Sequence, residues 1–224
     1  MGYVGPGAVF FELLINCFDS SRVMVQVVFF DLCGVLVSDP LDPWYASVKR
    51  SHGLERLEAY GKIRHLWKDF KQGSIDEFSF WDMVAAAVGA PPSKAAAWRL
   101  VPYAEVKVIE GVKPLIHSLI ASGVKVGIIS NISREWKDHI FSRVLPMAWF
   151  DPLVLSCDLG CSKPDKVMFE KALQAAGVSD PKDCLFIDNG RKNIEAAGSL
   201  GWQAVFAEDT EQIRRGLERF GLIR

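Results

Sequence analysis

Long apolar runs, basic tracts and paired cysteines are all scarce in this chain, and each shortage removes a class of function. No segment supplies the ~20 consecutive apolar residues that a membrane-spanning helix needs. Ala8 to Phe18 comes nearest near the start, but it is short and Glu12 interrupts it. It also lacks the basic start and small-residue cleavage site of a secretory leader. Lysine and arginine number 26 against 27 aspartates and glutamates, for a net charge of −1, and no basic-aromatic stripe is present. Nucleic acid and anionic membrane are therefore not expected partners. Five cysteines (Cys17, Cys33, Cys157, Cys161, Cys184) form an odd set without a CxxC pair. Reduced thiols in a cytoplasmic protein fit that usage better than disulfides or a zinc site. Four histidines (His52, His65, His117, His139) share no metal-like spacing.

What is present is hydrophobic mass: half of the 224 residues, enough for one core or a core with a second lobe. Residues 1–23 precede Met24 and the first strand-like run. They read as a dispensable extension or an early start, or else as an amphipathic segment that docks on the core or a partner. Asp31 is the most informative residue beyond them. It ends the apolar run Val25-Gln26-Val27-Val28-Phe29-Phe30 and precedes the turn-like Leu32-Cys33-Gly34-Val35-Leu36. A carboxylate there costs several kcal/mol unless it is paired or binds something. The carboxyl ends of strands in open α/β sheets are where ligands bind. Asp31 is thus the candidate nucleophile.

From residue 104 onward, strand-like runs (124–129, 153–155, 184–187, 203–206) alternate with helix-like stretches near 111–122, 133–143, 164–176, 191–200 and 209–220. Asp209-Thr210 suits a helix start and Pro164 a first turn. The alternation predicts a doubly wound, parallel, Rossmann-like α/β sheet. Residues 40–103 contain no strand-like run. Instead 46–56, 56–70, 75–88 and 93–101 read as four helices, split by Pro40, Pro43, Gly53, Gly73 and Pro91-Pro92. The expected organisation is an α/β core from 24–39 and 104–224, with a helical cap of 40–103 over Asp31.

Three more strand ends carry polar residues that packing would not select: Ser130-Asn131, the Gly160-Cys161-Ser162-Lys163-Pro164 loop, and Asp188-Asn189-Gly190 with Asn193 one turn on. Together they offer two acids, a hydroxyl and a cation, a set suited to phosphoryl transfer. Each has a plainer reading, as turn hydroxyl, solvated lysine or helix-surface amide.

In order, these segments resemble the four motifs of the haloacid dehalogenase (HAD) superfamily: Phe30 to Leu36, Ile129-Ser130-Asn131, Lys163-Pro164 after Ser156 and Gly160, and Phe186-Ile187-Asp188-Asn189. Gln72-Gly73-Ser74-Ile75 with Phe80-Trp81 resembles the helical cap of the phosphatase-like branch. The resemblance implies that Asp31 forms an aspartyl-phosphate, with Ser130, Asn131 and Lys163 on the substrate phosphate. Lys163 would also hold Asp31. Mg²⁺ would sit on Asp31, Asp188 and the Cys33 backbone carbonyl, supported by Asn189 and Asn193. The implied substrate is a small-molecule phosphate ester, and a monomer or homodimer is expected.

Two positions depart from the family pattern. Cys33 stands where most such phosphatases have the Asp that protonates the leaving oxygen. Similar first motifs without that Asp occur in a subgroup that includes sugar-phosphate phosphatases. Its absence favours leaving groups that need little protonation, such as anomeric sugar or aryl phosphates over alkyl phosphates. Asn189 replaces a second Asp, which should weaken Mg²⁺ binding. A 2-haloacid dehalogenase and a non-catalytic binding member remain alternatives. Trp44, Tyr45, Arg64, Trp67 and Phe70 are candidate gate residues, with His65 a further substrate contact; packing or solvation explains them equally well.

Overall fold

The computed structural model describes residues 25–224. The reading of 1–23 as an extension or docking segment lies outside the described residues. Five parallel strands form one sheet: β1 (Val27–Phe30), β2 (Lys125–Ser130), β3 (Leu153–Leu155), β4 (Cys184–Asp188) and β5 (Gln203–Phe206), in the order β3-β2-β1-β4-β5. Side chains alternate between the two faces of a strand. Val28 and Phe30 of β1 join Ile128, Leu185 and Ile187 in one apolar cluster. Val27 and Phe29 join Ile129, Phe169 and Phe186 in the other. Each face of the sheet is therefore a core, as its near-continuous apolar strands require. Gly127 is needed beside β1, because a Cβ there would meet the Phe29 ring at 2.6 Å.

The chain runs outward from β1 to β2 and β3, then returns to add β4 and β5 on the other side. The switch in direction falls between β1 and β4, where a crevice opens past the strand ends. Register places Phe30 beside both Ile128 and Ile187. The residues that follow in each strand, Asp31 and Asp188 among them, thus emerge together.

Four helices stand between β1 and β2: α1 (Asp42–His52), α2 (Arg56–Lys71), α3 (Glu77–Ala87) and α4 (Pro92–Glu105). Their entry and exit segments run side by side, with Ser38 N donating to Lys107 O and Ile109 N to Leu36 O. The first helix starts earlier than the expected 46–56. Pro43 is accepted in its first turn, and Gly53 ends it in the left-handed conformation at φ 66°. Beyond the insertion come α5 (Val112–Ala121), α6 (Arg134–Arg143), the short α7 (Ser156–Leu159), α8 (Lys166–Ala176), α9 (Arg191–Ser199) and α10 (Thr210–Arg219). Pro164 does not open α8 as expected. Asp165 caps that helix, its side chain accepting from Val167 N. Asp209 caps α10 as expected, accepting from Gln212 N. Among the described residues no helix is long and apolar enough to cross a membrane.

Aromatic packing fastens the insertion to the sheet layer. Trp136 of α6 lies 5.0 Å from the Trp67 ring and 5.6 Å from Phe70, both on α2. Phe70 stacks on Phe80 of α3 at 4.4 Å. Beneath them Glu77 is buried, accepting from Tyr103 Oη at 2.8 Å and Trp136 Nε1 at 3.1 Å. Burial pushes the Glu77 pKa up, and those hydrogen bonds only partly oppose the rise.

Glu77→Ala leaves the buried Trp136 donor and the half-buried Tyr103 donor without an acceptor and is expected to cost about 2–3 kcal/mol in urea unfolding at pH 7. Glu77→Gln keeps an acceptor and loses less. A carboxyl whose folded pKa is raised stabilises fully below its unfolded pKa of about 4.3, and that stability is lost as pH rises through the folded value. The wild-type advantage over Glu77→Gln should therefore shrink from pH 4 to pH 7. A constant difference would contradict the assignment.

Candidate active site

Asp31 leaves β1 at its carboxyl end, its N–H held by Ile187 O at 2.9 Å. The turn that follows closes on Leu32, whose carbonyl accepts from Val35, Leu36 and Val37. Gly34 makes this possible at φ 81°, and a Cβ there would collide with the Asn189 amide. The first turn and the loop after β4 thus meet through a glycine.

Lys163 is the centre of the cluster. Its ammonium lies 2.8 Å from Asp31 Oδ1 and 2.6 Å from Asp188 Oδ2, with the lysine and Asp188 side chains shut off from solvent. Ser130 Oγ donates to Asp31 Oδ1 at 2.8 Å. Asp188 is held further by Gly190 N at 2.6 Å and by Asn193 Nδ2 at 3.1 and 3.0 Å. All four side chains proposed to surround one phosphoryl group therefore meet. Burial works against the Lys163 charge, but Asp188 and Asp31 outweigh it and hold its pKa above the ordinary value. Burial raises the Asp31 pKa, Lys163 opposes the rise, and the Asp188 charge adds to it.

Asn131 holds the loop that carries Lys163. Its Nδ2 donates to Lys163 O at 2.9 Å, and its Oδ1 accepts from Lys163 N at 2.7 Å. Its side-chain amide thus aims the lysine. Asn189 is exposed, against Gly34. Cys33 is half-buried, and burial, then Asp31 and Asp39, push its thiol well up. Burial and two neighbouring carboxylates thus favour its thiol form over the thiolate.

Among the described residues, no group of three or more His, Cys, Asp or Glu side chains forms a metal cage. The donor set nevertheless suits a hard cation. Two carboxylates face one ammonium, which leaves negative charge uncompensated. Asp31 Oδ2 takes no hydrogen bond from any described residue, while Oδ1 serves Ser130 and Lys163. No described backbone N–H donates to the Cys33 carbonyl. Mg²⁺ commonly uses one or two carboxylates, completing its shell with water and phosphate.

The gate residues separate into two groups. Trp44 is fully buried, 6.3 Å from Trp81 and 6.0 Å from Trp98, and Phe70 is buried in the aromatic stack. These two are core, because their rings point into the helical bundle. Arg64, His65 and Trp67 line a cleft of about 620 Å³ that reaches Asn131 and Lys163. Tyr45 lines an adjoining hollow with Tyr60 and Trp67. Sequence reasoning missed Lys71, on the same cleft, within electrostatic reach of Asp31, Lys163 and Cys33. Its one signal was the position just before Gln72-Gly73, where the insertion turns back toward the sheet.

The profile of haloacid dehalogenase-like hydrolases matches residues 25–201. The chain belongs to that family of hydrolases. It is 22% identical over 211 residues to flavin mononucleotide hydrolase 1 of Arabidopsis thaliana, covering 91% of this chain and 80% of that one. It is 24% identical over 218 residues to a glyceraldehyde 3-phosphate phosphatase of Methanothermobacter thermautotrophicus, covering 89% and 93%. A HAD family enzyme of Bacteroides thetaiotaomicron, solved in complex with magnesium and inorganic phosphate, shares the fold at a TM-score of 0.63 and 19% identity, over 81% of this chain and 93% of that one. The HAD hydrolase family thus expected from the four motifs is confirmed.

Lys163→Met leaves two buried carboxylates facing each other. The expected loss in urea unfolding is about 3–5 kcal/mol at pH 7. It should lessen as pH falls and one carboxyl takes a proton. A variant as stable as wild type at pH 7 would contradict the central role of the ammonium.

Proposed function

We propose that this HAD hydrolase is a Mg²⁺-dependent phosphomonoester hydrolase acting on a small metabolite through an aspartyl-phosphate on Asp31. The observation that carries the reading is the single ammonium of Lys163 bridging Asp31 and Asp188, with Ser130 on the same Asp31 oxygen. Relatives that hydrolyse flavin mononucleotide and dephosphorylate glyceraldehyde 3-phosphate support phosphate esters as the substrate class.

A carboxylate oxygen of Asp31 attacks phosphorus. The P–O bond to Asp31 forms as the P–O bond to the alcohol breaks. Ser130 and Lys163 bind phosphoryl oxygens as charge shifts onto them. The alcohol leaves with the electron pair and takes a proton from water. Water then attacks the aspartyl-phosphate, releasing inorganic phosphate and restoring the Asp31 carboxylate. Asp31, Asp188 and the Cys33 carbonyl would hold Mg²⁺, which supplies charge neutralisation for the phosphoryl oxygens. Asn131 orients Lys163, and Asn193 with Gly190 orients Asp188. The insertion closes over the crevice as a cap.

No acid stands at Cys33, so esters of acidic alcohols should turn over faster than alkyl esters. Phosphate release from aryl and alkyl phosphates with saturating Mg²⁺ measures this. Cys33→Asp should raise alkyl-ester turnover by roughly 10²-fold, the size of general acid catalysis, while aryl esters gain little. Asp31→Asn should lower release by more than about 10³-fold, and EDTA should abolish it until Mg²⁺ is restored. Halide release from 2-chloropropionate without metal, in place of phosphate release, would instead establish a dehalogenase.

A further inference from the structure

The phosphoryl group needs Ser130, Lys163 and the strand-end loops, but the cleft above them carries more positive charge than that. Arg64, Lys68 and Lys71 follow one another on α2 at spacings of four and three, which places them on one face. All three line the cleft that reaches Lys163. At about 1.5 Å rise per residue they extend over roughly 10 Å of helix. Among the described residues none of the three has a carboxylate within 4.0 Å, whereas Arg56 at the start of the same helix pairs with Asp39 and Asp42. The acid in the cleft lining, Asp165, is occupied in capping α8. Lys163 is already balanced by Asp31 and Asp188.

Lys71 is fixed in place. Its carbonyl accepts from Ser156 Oγ at 2.6 Å, and Ser156 Oγ in turn accepts from Ile132 N at 2.9 Å, one residue beyond Asn131. The next residue, Gln72, donates to Ser162 Oγ at 2.8 Å, beside Lys163. Two hydrogen bonds thus tie the end of α2 to the catalytic loops. The Lys71 ammonium sits 5.0 Å over the Trp67 ring, half-buried. Burial pulls its pKa down to about 8, against the pull of the Asp31 charge. A second anion beside it would relieve that desolvation.

We propose that Arg64, Lys68 and Lys71 bind a second anionic group on the alcohol part of the substrate, so that the preferred substrates are phosphomonoesters that also carry a carboxylate or a further phosphate. This rests on the phosphomonoesterase reading of the same site. It assigns substrate discrimination to one face of α2 and leaves bond breaking to the strand ends.

Phenyl phosphate, 4-carboxyphenyl phosphate and 1,4-phenylene bisphosphate test it, since they differ mainly in the distal group. Wild type should favour one or both compounds with a second anionic group over phenyl phosphate by about tenfold or more in kcat/KM, chiefly through KM. Which compound gains identifies the anion as carboxylate or phosphate. The preference should fall at least fivefold in Arg64→Gln/Lys68→Gln and in Lys71→Gln, and Lys71→Arg should recover part of it. Lys62→Gln removes the same charge from an exposed position on α2 outside the cleft and should keep the preference. No preference in wild type, or one that survives in the cleft variants, overturns the proposal. If no compound releases phosphate, the phosphatase reading fails separately. Calorimetric binding of the same three compounds to Asp31→Asn protein, with and without the cleft substitutions, then decides: tighter binding of the compounds with a second anionic group that the substitutions abolish supports the second-anion site, and equal binding overturns it.

Discussion

One ammonium between two buried carboxylates is the interaction on which the rest of this molecule depends. Asp31 and Asp188 end neighbouring parallel strands, so the sheet itself forces two like charges together. Removing either from water costs several kcal/mol, and their mutual repulsion adds to that cost. Lys163, arriving from the loop before α8, offsets both at 2.8 and 2.6 Å. The surrounding polar residues then have one task each. Asn131 clamps both sides of the Lys163 peptide, Asn193 and Gly190 hold Asp188, and Ser130 holds Asp31. Such a cluster remains short of one positive charge, which is the electrostatic condition for holding a cation and receiving a phosphoryl group.

The helical insertion serves this cluster from outside. Part of its apolar surface is used in packing on the core: Phe70 stacks on Phe80, and both Trp67 and Phe70 meet Trp136 of α6. That packing fixes which face of α2 remains over the crevice. The face left over carries cations with no carboxylate within 4.0 Å among the described residues, while Arg56, on the same helix, is paired with Asp39 and Asp42. The hydrogen bond from Ser156 to the Lys71 carbonyl joins the two parts at the point where selectivity and chemistry meet. The charged cluster thus stands on strand ends, and the cationic face on a helix outside them.

Much of the site was legible in the chain because each key residue breaks an apolar pattern. Asp31, Ser130 and Asp188 each close a run of buried strand residues, and Lys163 sits between a glycine turn and a helix start. The hold of Asn131 on Lys163 was not legible because its partners lie 32 residues away, and no local pattern announces a clamp on another loop. Trp44 and Phe70 were placed at the gate because an aromatic residue on an amphipathic helix suits a core or a mouth equally. Lys71 escaped notice for the opposite reason: by itself it is another lysine on a polar helix, indistinguishable from Lys62 or Lys68.

The order of strands and helices, the two-sided sheet, the acids at its edge and the family of the chain were all determined by sequence, because alternation of apolar and polar residues fixes element type and exposed ends without reference to distant segments. What only the tertiary structure decided is which loops face one another. The pairing of Lys163 with two carboxylates, the hold of Asn131 on the lysine backbone, and the presentation of Arg64, Lys68 and Lys71 to the crevice all arise from contacts between residues far apart in the chain. Such contacts depend on how packed helices settle against the sheet, and periodicity along one segment carries no record of that.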